Sequence, residues 1–241
     1  MPNIKPKVSV VIPSYNRFKY LLNAVNSVIE QDYENTELII INDGSDENDY
    51  YNYKFPDKVK IIHLKENQKT IHGFGPGAIR NFGTEVAEGK FLAFLDDDDV
   101  WLPNKLTLQM EKMLSGNYLM SCTEGYIGKG IYDIEKKYKL YNAEHYLKKI
   151  KRIYRKSKYF KFNNYPEVFT HDFIKIHNCI ITSSVIVEKK LFKNLGQFRN
   201  LPFSADYDCW LGLLQLTDCL YIDTPLIYYD LLHAQGRNYF K

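Results

Sequence analysis

The stretch Gly89-Lys-Phe-Leu-Ala-Phe-Leu-Asp-Asp-Asp-Asp99 joins a fully apolar run to four consecutive carboxylates. Phe91 to Leu95 has the length and composition of a buried strand. Carboxylates this close repel one another, and a nearby cation relieves the repulsion. Hard oxygen donors select Mg²⁺ or Mn²⁺, ions that commonly share one or two carboxylates with substrate phosphates. Asp96 and Asp98 are therefore candidates for a metal that bridges to a diphosphate. A solvated acidic turn is the plainer alternative, but such a turn rarely follows so apolar a strand.

Working outward, the same strand-then-polar pattern recurs. Val8-Ser-Val-Val-Ile12 is a β-branched run followed by Pro13-Ser-Tyr-Asn-Arg17. Glu37-Leu-Ile-Ile-Ile41 is followed by Asn42-Asp-Gly-Ser45, and residues 59–64 form a third apolar run. Between them, Leu21, Leu22, Val25, Val28 and Ile29 recur at helical spacing, predicting a helix over residues 17–31. Gly73, Gly75, Pro76 and Gly77 predict a loop before a helix over 78–87, and Pro103 suits the first turn of another helix reaching about residue 114. A fifth strand is expected at 118–122. Strands alternating with helices imply a mostly parallel sheet covered on both faces, an α/β fold. Such sheets bind ligands at the carboxyl ends of their strands. The three polar segments should therefore gather along one sheet edge.

Composition narrows the function. The chain has 241 residues, 45% hydrophobic and 25% charged, which is globular and neither collagen-like nor disordered. At roughly 100–200 residues per domain it fits one elaborated domain. With 32 Lys and Arg against 29 Asp and Glu, the net charge of +3 gives no argument for nucleic acid. Cys122, Cys179, Cys209 and Cys219 form no CxxC pair and read as reduced, buried thiols. The first residues show no leader pattern and no apolar run reaches membrane-spanning length, so a cytoplasmic location is expected, with peripheral contact at a membrane face allowed.

The last part of the chain is less regular. From Lys136 to Lys161 there are eleven Lys and Arg and one acid, Glu144. A helix over 143–156 is expected there. Its basic face suits solvent, an anionic acceptor or a membrane surface. Alternation over Cys179-Ile-Ile-Thr-Ser-Ser-Val-Ile-Val187 predicts a strand, residues 206–216 a helix, and 220–222 and 226–229 two short strands.

Together these stretches resemble glycosyltransferase family 2, with its GT-A fold. The resemblance rests on Val8 to Arg17, Glu37 to Ser45, Gly77-Ala-Ile-Arg-Asn-Phe-Gly83, Gly89 to Asp99, Gly196-Gln-Phe198, Asp206-Tyr-Asp-Cys-Trp-Leu211 and Tyr228-Tyr-Asp-Leu-Leu-His233, in that order. One such piece is weak; seven in order are specific for the family, though not for the sugar. The implied fold is a Rossmann-like α/β/α sandwich with an elaborated C-terminal acceptor-side region. Residues 1–124 would bind the nucleotide sugar and 125–241 the acceptor, within one domain.

The resemblance also implies roles. Pro13, Tyr15, Asn16 and Arg17 would meet the nucleotide, Tyr15 lying against the base. Asp43 would accept from the N3–H of a uracil; an Asx turn with Gly44 is its plainer role. Arg80 would face the nucleotide with its forked guanidinium. Asp98 would bind Mn²⁺ or Mg²⁺ directly, Asp96 the ribose or the metal's shell, and Asp97 either; Asp99 would start the following turn, with capping as its plainer role. Asp206 matches the catalytic base, although Ala205 stands where relatives often carry Glu. Asp208 and Trp210 suit structural or acceptor-side roles, and Trp101 and Pro103 structural ones. His233 matches a late histidine that reaches the metal or diphosphate, with Gln235 and Arg237 beside it. Asn178, Ser183 and Ser184 fall where the acceptor side begins. The donor would be a nucleoside-diphosphate sugar, UDP-linked by default, and the acceptor a glycan, glycolipid or glycoprotein. Residues 65–76 and the tail after His233 are candidates for closing over the donor.

Three alternatives compete. Asp96-x-Asp98-x-Val100 after a strand also resembles the nucleophile motif of haloacid-dehalogenase-type phosphatases, which in those enzymes follows the first strand; here three strand–helix units precede it. A nicotinamide-dependent dehydrogenase lacks its GxGxxG after the first strand. A non-catalytic nucleotide-sugar-binding protein would keep the donor residues and tolerate loss of Asp206.

Overall fold

The computed structural model describes residues 5–73, 75–159 and 165–232. His233, Gln235 and Arg237 lie outside the described residues. The first half runs β1 (Val8–Ser14), α1 (Phe18–Ile29), β2 (Thr36–Asn42), α2 (Asp49–Asn52), β3 (Val59–His63), α3 (Gln68–His72), α4 (Pro76–Val86), β4 (Phe91–Phe94), β5 (Val100–Trp101) and α5 (Lys105–Ser115). The second half runs β6 (Met120–Gly128), β7 (Lys139–Leu140), a π-helical turn (Tyr141–His145), α6 (Leu147–Tyr154), β8 (Val168–Phe169), α7 (His171–Ile174), a 3₁₀ turn (Thr182–Ser184), β9 (Ile186–Glu188), α8 (Lys189–Leu195), α9 (Ala205–Leu213) and β10 (Cys219–Asp230).

The sheet order is β3-β2-β1-β4-β9-β6-β10-β5, with β7 on β6 and β8 on β10. The β3-β2-β1-β4 half and the β6–β10 pair are parallel, and the short strands β5, β7, β8 and β9 join antiparallel. The expected mostly parallel α/β sheet of the GT-A type is present. Side chains alternate across β1 as the pleat requires. Val8, Val10 and Ile12 face Leu21, Val25 and Val28 of α1 and Leu106 and Met110 of α5. Val11 faces the other way, onto Ile79 of α4, in a second core with Phe192 and Trp210. Gly83 lets α4 lie close to β1, because a Cβ there would sit 2.6 Å from Val11 Cγ1.

Several boundaries differ from expectation. Pro103 precedes α5 in a turn, because Asn104 takes a left-handed φ of 62° and the helix starts after it. The segment before α4 is not all loop: Asn67 caps α3 by accepting from the Thr70 N–H, and Gly75 and Pro76 then open α4. The expected helix over 143–156 is divided into the π-helical turn and α6. The expected strand over 179–187 is broken by the 3₁₀ turn, where the Ser184 hydroxyl donates to Ile181 O and competes with strand pairing. Residues 220–222 and 226–229 belong to one strand, β10, interrupted by register shifts near Pro225. The four cysteines are free and buried. Among the described residues, no helix is long and apolar enough to cross a membrane.

Candidate active site

Parallel pairing brings the ends of β1, β2 and β4 to one edge. Asp43 N–H donates to Ser14 O at 2.9 Å, and Asn16 N–H to Ser45 Oγ at 2.9 Å. Gly44 turns there with φ +70°, and a Cβ would meet the Glu66 backbone at 2.5 Å, so the turn requires glycine. Asp43 is wholly buried. Its carboxylate accepts from Gln68 N–H at 2.9 Å and Asn67 Nδ2 at 3.0 Å. Burial nevertheless pushes its pKa up to about 6. Pro13 is buried, while Tyr15 and Asn16 are partly exposed.

The acid run is reached from several elements. Ser14 Oγ donates to Asp97 Oδ2 at 2.7 Å. Arg17 Nη1 donates to Asp97 Oδ1 at 3.2 Å and Asp98 Oδ2 at 2.9 Å, all three side chains being buried. Arg80, on α4, pairs with Asp96. Asp99, expected to start or cap a turn, accepts instead from Ser183 Oγ at 2.5 Å and from Asp230 N–H at 2.9 Å. Burial raises the pKa of Asp97, Asp98 and Asp99, and neighbouring carboxylates add to the rise. Asp96, Asp98 and Asp99 each offer an oxygen, all within 4.8 Å of one another. Three crowded hard donors fit a divalent cation.

The other side of the site hangs on the 3₁₀ turn. Thr182 Oγ1 donates to Asp206 Oδ2 at 3.1 Å. Ser183 Oγ accepts from Asp96 N–H at 3.0 Å while donating to Asp99. One turn therefore contacts both Asp206 and the acid run. Asp206 stands in the first turn of α9, after Ser204 with its left-handed φ of 54°. Asp208 pairs with Arg199, and Trp210 is fully buried against Phe94 and Phe198. Trp101 is buried too, its indole N–H donating to Ser183 O at 2.7 Å. Glu124 carried no signal in the sequence, being a single acid just past the strand expected at 118–122. It is buried and accepts from Asn142 N–H and Ala143 N–H, both at 3.0 Å, and from Tyr221 Oη at 3.0 Å.

A curled, mostly parallel sheet with an acid run and an Asx-Gly turn at its strand ends defines the GT-A class. The chain belongs to glycosyl transferase family 2, whose model matches residues 9–189. The uncharacterized glycosyltransferase RP339 of Rickettsia prowazekii is 30% identical over 234 residues, covering 95% of this chain and 65% of its own length. WfgD of Escherichia coli, a UDP-Glc:α-D-GlcNAc-diphosphoundecaprenol β-1,3-glucosyltransferase, is 37% identical over 111 residues, 46% of this chain and 42% of WfgD. S. aureus TarS superposes with a TM-score of 0.67 at 19% identity, covering 96% of this chain and 38% of TarS. TarS 1–349 in complex with UDP-GlcNAc gives 0.60 at 18%, covering 93% and 58%. The chain spans less than two thirds of each of these proteins.

Proposed function

We propose that the chain transfers a sugar from a UDP-sugar to an acceptor hydroxyl, with inversion at the anomeric carbon. The observation that carries this is the Thr182–Ser184 turn, which contacts Asp206 on one side and the acid run on the other. A displacement needs those two sites at opposite ends of the reacting sugar. The donor class is supported by WfgD, named for a UDP-Glc donor, and by TarS, solved with UDP-GlcNAc. Family membership does not favour the phosphatase alternative.

In this proposal Pro13, Tyr15, Asn16 and Arg17 border the nucleotide, and Asp43 accepts from the uracil N3–H. Arg80 meets the departing diphosphate, with Asp96 and Asp97 near the ribose and phosphates. Asp98 and Asp96, joined by Asp99, would hold Mn²⁺ or Mg²⁺; His233, the third expected ligand, lies outside the described residues. Such an ion, when bound, supplies Lewis-acid stabilisation of the leaving group. Asp206 takes the acceptor hydroxyl's proton as its oxygen bonds to the anomeric carbon and the carbon–phosphate oxygen bond breaks. Residues 1–124 serve the donor and 125–241 the acceptor.

WfgD's name includes a lipid diphosphate acceptor. On α6, Lys148, Lys149, Lys151 and Arg152 are exposed while Ile150 and Tyr154 are buried. That basic face would hold the chain against anionic headgroups at the cytoplasmic side of a membrane. Cosedimentation with phosphatidylglycerol but not phosphatidylcholine vesicles checks this contact. Calorimetric titration of UDP, GDP and dTDP, with Mn²⁺ and with chelator, tests the main proposal. Metal-dependent binding of UDP alone is expected; binding of none of the three would sink it.

A further inference from the structure

Tyr141 and Tyr229 pack against each other, and the residue after Tyr229 bonds to the acid run; neither has a role so far. Tyr141 opens the π-helical turn, a geometry common at functional sites. Its position is fixed from behind: Glu124 accepts from the next two backbone N–H groups, and Asn142 Nδ2 donates to Cys179 O at 3.1 Å. Tyr229 is fixed by β10, since the following residue, Asp230, donates its N–H to Asp99. The two rings meet edge to face with centroids 5.3 Å apart, and Tyr146 closes on Tyr141 at 4.8 Å. Both are partly exposed and pack on the core that contains Leu226 and Ile227.

Their hydroxyls differ from those of neighbouring tyrosines. Tyr154, Tyr165, Tyr207 and Tyr221 each donate to a protein oxygen. Neither Tyr141 nor Tyr229 has a hydroxyl partner among the described residues. Both phenols nevertheless lie within reach of the site's charge. Burial raises the pKa of Tyr141, helped by Tyr146, Cys179 and then Asp206. Burial raises that of Tyr229, helped by Tyr141 and by Asp99, Asp96 and Asp98. The charge of Asp206 thus acts on Tyr141, and that of the acid run on Tyr229.

We infer that Tyr141 and Tyr229 form the acceptor subsite, and that the acceptor is a pyranose presenting neighbouring free hydroxyls, not a peptide or a simple alcohol. The inference rests on the transferase proposal. A phenol both donates and accepts a hydrogen bond, as a sugar hydroxyl does. Aromatic rings offer apolar surface to the C–H face of a pyranose. In this inference the attacking hydroxyl lies on Asp206 and a neighbouring hydroxyl of the same sugar meets Tyr141.

The test uses UDP-glucose and UDP-N-acetylglucosamine as donors. The acceptor probes are p-nitrophenyl glycopyranosides of glucose, galactose and N-acetylglucosamine, with octanol and a serine peptide beside them. UDP binding by the wild type is read first; its absence would overturn the transferase proposal and is distinct from every result below. Transfer to at least one glycoside is expected. Tyr141→Phe and Tyr229→Phe, which each remove one oxygen, should lower kcat/KM for that glycoside about 10-fold or more, mainly through KM. UDP affinity should stay within about twofold, which also reports that the variants fold. Unchanged kcat/KM overturns the inference, as does a matching loss of UDP affinity, which would give the hydroxyls to the donor. Transfer only to octanol or the peptide, or to no probe while the donor is hydrolysed, also overturns it.

Discussion

Thr182 donates its hydroxyl to Asp206 at 3.1 Å, from the turn whose next residue, Ser183, donates to Asp99 at 2.5 Å. The carboxylate proposed to take a proton is thereby oriented by the element that also holds the acid run. Asp206→Asn keeps an oxygen for Thr182 but cannot accept the proton. Transfer should fall by roughly 10²–10⁴ with UDP affinity unchanged. Steady-state rates beside a UDP titration check this; normal transfer with collapsed UDP affinity would show that Asp206 serves the donor instead.

Asp98 lies between Arg17 and two other carboxylates. Asp98→Ala leaves Arg17 paired with Asp97, so the donor-side framework keeps one ion pair. UDP binding measured with and without Mn²⁺ should show a clear metal dependence in the wild type and little in the variant. If UDP binds as well in chelator as with Mn²⁺ in both proteins, the proposed metal site is wrong.

The donor side was far more legible than the rest, for physical reasons. β1, β2 and β4 are apolar β-branched or aromatic runs stopped by polar turns, and no helix period competes with them. The 179–187 segment has the same apolar alternation, but Thr182, Ser183 and Ser184 turn it with their hydroxyls and place two of them on carboxylates. Alternation alone does not report that choice. Arg17 and Asp98 are 81 positions apart, so their pairing belongs to tertiary structure. Glu124 and Tyr229 are single residues within strands and acquire their surroundings only when β6, β10 and the π-helical turn assemble.

Asp43 couples binding to pH. Burial raises its pKa to about 6, above the ordinary carboxylate value. Below about pH 6 it protonates and its acceptor character toward a uracil N3–H is lost, so UDP affinity should fall as pH drops through that value. Stability runs the other way. The folded state holds this proton more tightly than the unfolded chain, so the group's stabilising contribution is lost as pH rises from about 4 to about 6, on the order of 3 kcal/mol. UDP itself titrates, so the measurement is the difference between wild type and Asp43→Asn across pH 5–8. A difference that does not vary with pH would remove Asp43 from base recognition.

Lys105 is wholly buried, and its Nζ has no hydrogen-bond partner among the described residues. Nζ lies 3.9 Å from the centroid of the Trp101 ring. A desolvated cation–π contact contributes about 2 kcal/mol, whereas taking an ammonium out of water costs several. Desolvation wins, and burial pushes the Lys105 pKa well below its ordinary value. For a base depressed in the folded state, the unfolded chain binds the proton more tightly. Stability therefore rises with pH from the folded pKa to about 10.4. Lys105→Met keeps length and apolar contact without the amine. It should stabilise the protein at pH 7 by about 1–2 kcal/mol, a melting shift of a few degrees, and the gain should shrink at pH 10. Thermal melts of both proteins at the two pH values check this. A lower midpoint for Lys105→Met at pH 7 would mean that the contact with Trp101 outweighs desolvation.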